Sequence, residues 1–229
     1  MIIGINGKIG SGKDTVANMI LDNIAPFYQN TFIQSDIHKF AGPLKRIASI
    51  LTGVPVEQFE DQEFKKTQMP PEWGDMTYRT FLQRLGTEAI RDNIHTNAWV
   101  NAALSGYTGG DGSQLDLDSF RRYVGQMWLM TDMRFTNEYE ACKSRGITVL
   151  VRRPSLPVDP NPHISETQLD HIQDWDIIVE NDGTLDDLEK TVQSSVIRTI
   201  YERIDEYFDK IIEASGNKDI HWTKGVYSK

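Results

Sequence analysis

The stretch MIIGINGKIGSGKDT, Met1–Thr15, decides how the rest of this chain is read. MIIGIN is a short apolar run that gives way at once to glycines, which reads as a buried first strand. Gly7, Gly12 and Lys13 then fall in the register of G-x-x-x-x-G-K-[ST], with Lys8, Gly10 and Ser11 inside the loop. Backbone N–H groups of such a loop close around phosphate oxygens while the lysine reaches the β- and γ-phosphates. A helix starting at Lys13 turns the positive end of its dipole toward the same anions. The pattern departs at Asp14, which stands where a hydroxyl would meet magnesium. A bare carboxylate beside a triphosphate repels it, so two roles stay open. In one, Asp14 holds Mg2+, directly or through its water shell, and Thr15 turns its hydroxyl to a phosphate oxygen. In the other, Asp14 accepts N–H bonds at the helix start, where the dipole favours an acid.

Outward from this loop, strand and helix signals alternate. Val16, Ile20 and Ile24 mark a helix from Lys13 that Pro26 ends, and Thr31–Asp36 (TFIQSD) reads as a second strand. Pro43 and Gly53 bracket a helix in the proline-first, glycine-last manner. Residues 54–78, with three prolines and no clear period, read as a partly helical insertion. Phe81, Leu82, Leu85 and Ile94 set an amphipathic helix over 79–94, and NAWVNAAL (97–104) begins another. GYTGGDGSQ (106–114) is a glycine-rich connection. Met127–Asp132 (MWLMTD) is a strand closed by an acid; NEYEACKSR (137–145) and ITVLVRR (147–153) complete a strand–helix–strand unit. A proline-rich segment, Pro154–Pro162, leads to HISET (163–167), and DIIVEND (176–182) is a last strand and turn. Leu185, Leu188, Val192, Val196, Ile200, Ile204, Phe208 and Ile211 then step by threes and fours along a final helix that Thr184 is placed to cap. Alternating strands and helices predict an α/β fold whose parallel sheet carries its site at the strands' carboxyl ends.

Composition narrows the function. The chain has 229 residues, 39% hydrophobic and 25% charged, as an ordinary globular protein does. Its 24 Lys and Arg against 33 Asp and Glu leave a net charge of −9, which suits a local cationic cleft and not the coating of a nucleic-acid backbone. One cysteine, Cys142, allows neither an internal disulfide nor a thiolate zinc site. No signal peptide or membrane span is read from the sequence, so a cytoplasmic location is expected.

Beyond the loop, Asp132 at the end of a buried strand is where a phosphoryl-transfer enzyme keeps a carboxylate for magnesium or its water; the alternatives are a helix cap or a salt bridge to Arg134. Arg134, just past that strand, is placed to stabilise charge on a transferring phosphoryl group. Arg152 and Arg153 open the proline-rich segment, either as a lid closing over phosphates or as a surface pair. Arg84 and Arg91, seven residues apart, share a face of the 79–94 helix, and Arg84 reads as an exposed helical charge. His163 lies inside HISE; His38, His95, His171 and His221 show no metal-ligand spacing.

With these pieces in order, the sequence resembles the deoxynucleoside monophosphate kinases of tailed bacteriophages and their bacterial relatives. The residues that carry the likeness are SGKDT (Ser11–Thr15), FAGPLK (Phe40–Lys45), LQRLGTEAIR (Leu82–Arg91), Trp99–Val100, TDMRFTNE (Thr131–Glu138), VRRP followed by HISE, and ENDGTLDDL (Glu180–Leu188). GKD in place of GK[ST] is that family's own form of the loop. The resemblance implies a three-layer P-loop kinase fold in one domain over 1–229, with a monophosphate-binding arm at 54–78, a lid at 153–170 and the C-terminal helix at 184–213. It implies ATP and Mg2+, a small deoxynucleoside monophosphate substrate, and no nucleic-acid or membrane partner; a homodimer is left open. By position, Gly7, Lys8, Gly10, Ser11, Gly12, Lys13, Asp14 and Thr15 would hold the ATP phosphates, with Arg152 and Arg153 in the lid and Asn181, Asp182 and Gly183 in a turn near the adenine. Lys13, Asp132 and Arg134 would be catalytic, and Asp14 and Asp132 would face the metal. Asp36, Phe40, Lys45, Arg79, Gln83, Arg91, Trp99, Glu138 and Glu166 would contact the monophosphate.

Other readings compete. A phosphomevalonate kinase of the animal type shares SGKD and an Asp-x-Arg after a strand, but LGTE and ENDGT favour the nucleotide enzyme. A GTPase switch lacks its motifs, since no Asp is followed three residues later by Gly and no N-K-x-D occurs. A nucleic-acid-driven ATPase sits badly with the acidic balance.

Overall fold

The structure, a computed structural model, describes residues 1–24, 34–110, 113–157 and 164–216. In chain order it runs β1 (Ile2–Asn6), α1 (Lys13–Ile24), β2 (Gln34–His38) and α2 (Gly42–Thr52), then α3 (Tyr78–Gln83) and α4 (Ala98–Leu104). There follow α5 (Leu117–Gly125), β3 (Gln126–Met130), α6 (Thr136–Lys143), β4 (Gly146–Arg152) and β5 (Ile177–Glu180). The chain's helical end consists of α7 (Leu185–Thr191) and α8 (Arg198–Ser215). It divides into two compact units: Met1–His38 with Tyr107–Lys229, and Lys39–Gly106. Among the described residues no helix is long and apolar enough to cross a membrane.

The first unit is built on a five-stranded sheet in the order β2-β3-β1-β4-β5, with every pairing parallel. This is the parallel α/β sheet that the alternation of elements predicts, and it is consistent with the P-loop kinase-like fold that the resemblance implies. β1 is central because IIGI has no polar residue to leave in water, and Ile2, Ile3 and Ile5 are fully buried. Val149, Val151 and Val179 of the neighbouring strands, Val16 and Ile20 of α1, and Val196, Ile200 and Ile204 of the C-terminal helices join them in one core. Gly4 lets α6 lie close to β1, since a Cβ there would come within 2.8 Å of the Cys142 sulfur. Cys142 itself is fully buried, and burial pushes its thiol pKa up.

The C-terminal helix is continuous but not uniform. Between α7 and α8, residues Val192–Ile197 form a π-helical turn. Leu188, Val192, Val196, Ile200, Ile204 and Phe208 recur every four residues and are all buried. On an α-helix each such step overshoots a full turn by about 40°, so five of them would rotate the apolar stripe out of the core. One wider turn takes much of that drift back out. Thr184 caps α7 as expected: its side chain accepts from the Asp187 N–H, and Asp187 returns the bond.

Other expectations shift. β2 covers Gln34–His38, not Thr31–Asp36, whose first three residues lie outside those described. β3 stops at Met130, so Asp132 stands in the loop beyond the strand. α5 occupies a stretch in which the sequence suggests no element.

The Lys39–Gly106 unit has a smaller core of Ala48, Phe59, Met69, Tyr78 and Phe81. Residues 54–78 contribute three short 3-10 turns, Val56–Glu60, Phe64–Lys66 and Pro71–Trp73, in keeping with a partly helical insertion. The single helix expected over 79–94 is instead α3 followed by a π-helical segment, Arg84–Arg91, with Asp92 N–H reaching back five residues to Thr87 O at 2.9 Å. That wider turn separates the two arginines expected on one face: Arg84 is exposed and Arg91 buried.

Candidate active site

The sheet order puts the carboxyl ends of β1 and β3 side by side, with Gly4 paired to Met130. Whatever follows those strands must therefore meet at one edge. After β1 comes the glycine loop; after β3 come Asp132, Met133 and Arg134. Asn6 joins the two, its amide donating to Met133 O at 2.7 Å.

The glycine loop has the shape of an anion cradle. Gly10 and Gly12 hold φ of +82° and +91°, a region that side chains with a Cβ rarely enter. A Cβ at Gly7 would overlap the Ser11 hydroxyl and come within 2.7 Å of Val151 O. The Ser11 hydroxyl is buried and has no hydrogen-bond partner among the described residues, so the loop keeps a donor unspent. α1 begins at Lys13, and its first turn presents N–H groups to the same space.

Asn6, Gly7, Lys8, Lys13, Asp132, Met133, Arg134, Glu166, Leu169 and Asp170 line one cleft. The three residues expected to be catalytic, Lys13, Asp132 and Arg134, are thus brought together. Two of the cleft's cations are held by acids of the 164–170 segment. Arg134 is ion-paired to the Glu166 carboxylate, and Lys8 Nζ lies 2.6 Å from Asp170 Oδ1 while also donating to the Glu166 carbonyl. The loop that carries Arg134 is fixed from beneath by Glu138, only 3% exposed, whose Oε2 accepts from the Arg134 N–H at 2.8 Å and the Phe135 N–H at 3.2 Å.

Comparison with known proteins decides the lineage. A family model described as deoxynucleotide monophosphate kinase matches residues 45–192, more than half of the chain. The chain belongs to the deoxynucleotide monophosphate kinase family. It is similar to the provisionally named deoxynucleotide monophosphate kinase of Acanthamoeba polyphaga mimivirus, 27% identical over 204 residues, covering 86% of this chain and 96% of that one. It also resembles the deoxynucleotide monophosphate kinase of Enterobacteria phage T4, 29% identical over 119 residues (52% of this chain, 44% of the relative). A third relative is the deoxynucleoside-5'-monophosphate kinase of Escherichia phage T5, 35% identical over 66 residues (29% and 26%).

The other positions that the sequence nominates within this family fall into separate surroundings. Asp14 is exposed on the first turn of α1, and Thr15 is half-buried. Asn181 bonds to the glycine loop, its amide donating to Ser11 O at 2.8 Å. Asp182 accepts from the Ser155 hydroxyl at 2.6 Å, and Gly183 packs on Asp187. Arg152 is paired with Glu180, and Arg153 is exposed. Asp36 lies exposed on β2, accepting from Gln34 at 3.1 Å. In the Lys39–Gly106 unit, Phe40 is 2% exposed, and Trp99 is buried with its indole donating to Gly86 O at 2.7 Å. Arg91 is buried and donates to Thr96 O at 3.3 Å, Arg79 donates to Gln62 at 3.0 Å, and Gln83 is half-buried. Lys45 is buried and bonded to Glu60 at 2.6 Å. Burial pushes the Glu60 carboxyl up, but the bonds from Lys45 and Lys39 outweigh it and hold the group below its ordinary value. His163 and the middle of the 153–170 segment lie outside the described residues.

Sequence reasoning misses Asn6, Met133, Leu169 and Asp170, all of which line the cleft. A signal existed for Asn6, a polar residue closing an otherwise apolar strand. For Leu169 and Asp170 only the bounds of the expected lid, 153–170, pointed toward the loop, and no motif singled either of them out.

Proposed function

We propose that this chain transfers the γ-phosphoryl group of ATP to a deoxynucleoside monophosphate, giving ADP and a deoxynucleoside diphosphate. The observation that carries this reading is the convergence of Lys13, Asp132 and Arg134 on one cleft beside a glycine cradle, in a chain of the deoxynucleotide monophosphate kinase family. The family match also speaks for a nucleotide acceptor over phosphomevalonate.

In-line phosphoryl transfer asks a protein for placement and charge more than for covalent chemistry. The loop N–H groups, the Ser11 hydroxyl and Lys13 bind the polyphosphate. Arg134 stabilises charge on the phosphoryl group in flight once it leaves Glu166 for that anion. Arg153, exposed just past the end of β4, opens a lid that excludes water, without which ATP would only be hydrolysed. Arg152 is held in β4 by its pairing with Glu180 and lies outside that lid. An acceptor phosphate oxygen is already ionised at neutral pH, so no general base is needed. Asp132 and Asp14 offer the hard oxygen donors that suit Mg2+, which when bound would neutralise charge between the phosphates.

The test is ADP release from ATP and Mg2+ against a panel of ribo- and deoxynucleoside monophosphates with phosphomevalonate included. ATP consumption should depend on an added monophosphate, with deoxy forms preferred. Steady hydrolysis that ignores the whole panel would sink the kinase reading.

A further inference from the structure

A loop of glycines does not hold its own shape. Gly10 and Gly12 have many backbone states open to them, so the cradle needs an external clamp to stay in one. Within the loop, Ser11 N–H bonds to Lys8 O at 3.0 Å and Val16 N–H to Gly12 O at 2.9 Å, which leaves the Ser11–Gly12 peptide to be fixed by something else.

We propose that Asn181 is the positioning residue of the phosphate loop, acting through the Ser11 carbonyl and the bare face of Gly12 and not by touching the nucleotide base. The proposal rests on the reading that Gly7–Thr15 holds the phosphates. Ser11 O can only accept, so the Asn181 group 2.8 Å from it is the NH2 of the amide. A Cβ at Gly12 would overlap that same nitrogen, so the amide lies where only a glycine leaves room. Asn181 is itself anchored: its N–H bonds to Arg152 O at 2.7 Å, extending the β4–β5 ladder one residue past the Arg152–Glu180 pair. Its neighbour Asp182 accepts from Ser155 N–H at 3.2 Å and from the Ser155 hydroxyl, tying the turn after β5 to the segment that leaves β4. One side of Asn181 is therefore sheet and the other is the cradle. Asn181 is not among the residues lining the cleft that holds Lys13 and Arg134.

The experiment is calorimetric binding of inorganic tripolyphosphate, ATP and GTP, each with Mg2+, to the full chain and its variants. Wild-type protein that fails to bind tripolyphosphate would refute the phosphate-loop reading itself, separately from the role of Asn181. Given that binding, Asn181→Ala should weaken all three ligands by the same factor, about tenfold for one lost bond to the loop, and leave the ATP-to-GTP ratio unchanged. Amide exchange at Gly12 and Lys13 should quicken in the ligand-free variant. Unchanged tripolyphosphate binding with ATP alone weakened would overturn the proposal and make Asn181 a base contact. Asn181→Leu, similar in shape and without donor or charge, is read the same way should the alanine variant not fold.

Discussion

The sheet unit and the Lys39–Gly106 unit spend their polar residues differently. In the first, a broad aliphatic core carries stability, and Lys13 at the start of α1 with Asp132 and Arg134 of the loop after β3 line a cleft. In the second, a few aromatic side chains form the core, and polar groups complete the fold: Lys45 with Glu60, Trp99 with Gly86 O, and Arg91 with Thr96 O. Charged residues in a unit with little apolar material are drawn inward as structural ties. A cation therefore signals a site more reliably where the core can spare it.

The comparison is most exposed at the sheet unit's cations. Lys13→Ala and Arg134→Ala should each lower kcat by about 10²–10⁴-fold, the scale of removing one charge stabiliser from a transition state, without moving the melting temperature. Should Arg134→Ala raise KM and leave kcat intact, Arg134 binds substrate and does not act on the transferring group. A smaller effect of the opposite kind is expected at Lys45. Lys45→Ala should cost about 1 kcal/mol of stability by undoing a part-buried bond to Glu60 that solvent screens in part, with KM for the monophosphate little changed. A tenfold rise in that KM at constant melting temperature would make Lys45 an acceptor ligand and erase the contrast.

The smallest effect is a pH limb. Burial pushes the Asp176 carboxyl up, but Thr148 and Lys143 bonds outweigh it and hold the group below its ordinary value, as Lys45 and Lys39 do for Glu60. A carboxyl with a lowered folded pKa stabilises above its unfolded pKa of about 4, and that contribution fades as pH falls through the folded value. Asp176→Asn should flatten the acid limb of the sheet unit's melting curve. Glu60→Gln should flatten that of the Lys39–Gly106 unit by less, because the Glu60 side chain is half-exposed and its pairs are screened. Equal responses would mean that the two carboxylates are held with equal strength.

Much of the sheet unit is legible because its signals are local. An apolar run followed by a glycine loop, two more apolar runs, and Thr184 three residues before Asp187 each speak within a few residues. The two π-helical segments are not legible that way, since a periodicity assumes 100° per residue and these turns violate it. Reading Arg84 and Arg91 as one face fails for that reason. α5 is hidden because LDSFRRYVG is short and follows a glycine-rich loop, so Leu117, Phe120, Tyr123 and Val124 on its packed face span barely two turns. The cleft is half legible: its cations follow strand ends and the resemblance nominates Glu166, while Leu169 and Asp170 reach it through a tertiary path that no spacing encodes.

The contact between Gly4 and Cys142 has a practical consequence. The chain's one thiol is sealed between the central strand and α6, out of reach of any reagent in the native state. Its rate of alkylation is therefore a clock for the opening of that one seam. The natural sequence thus comes with its own single-site probe of sheet breathing, and the pace of that clock with and without tripolyphosphate would show whether filling the cradle is felt at the far side of β1.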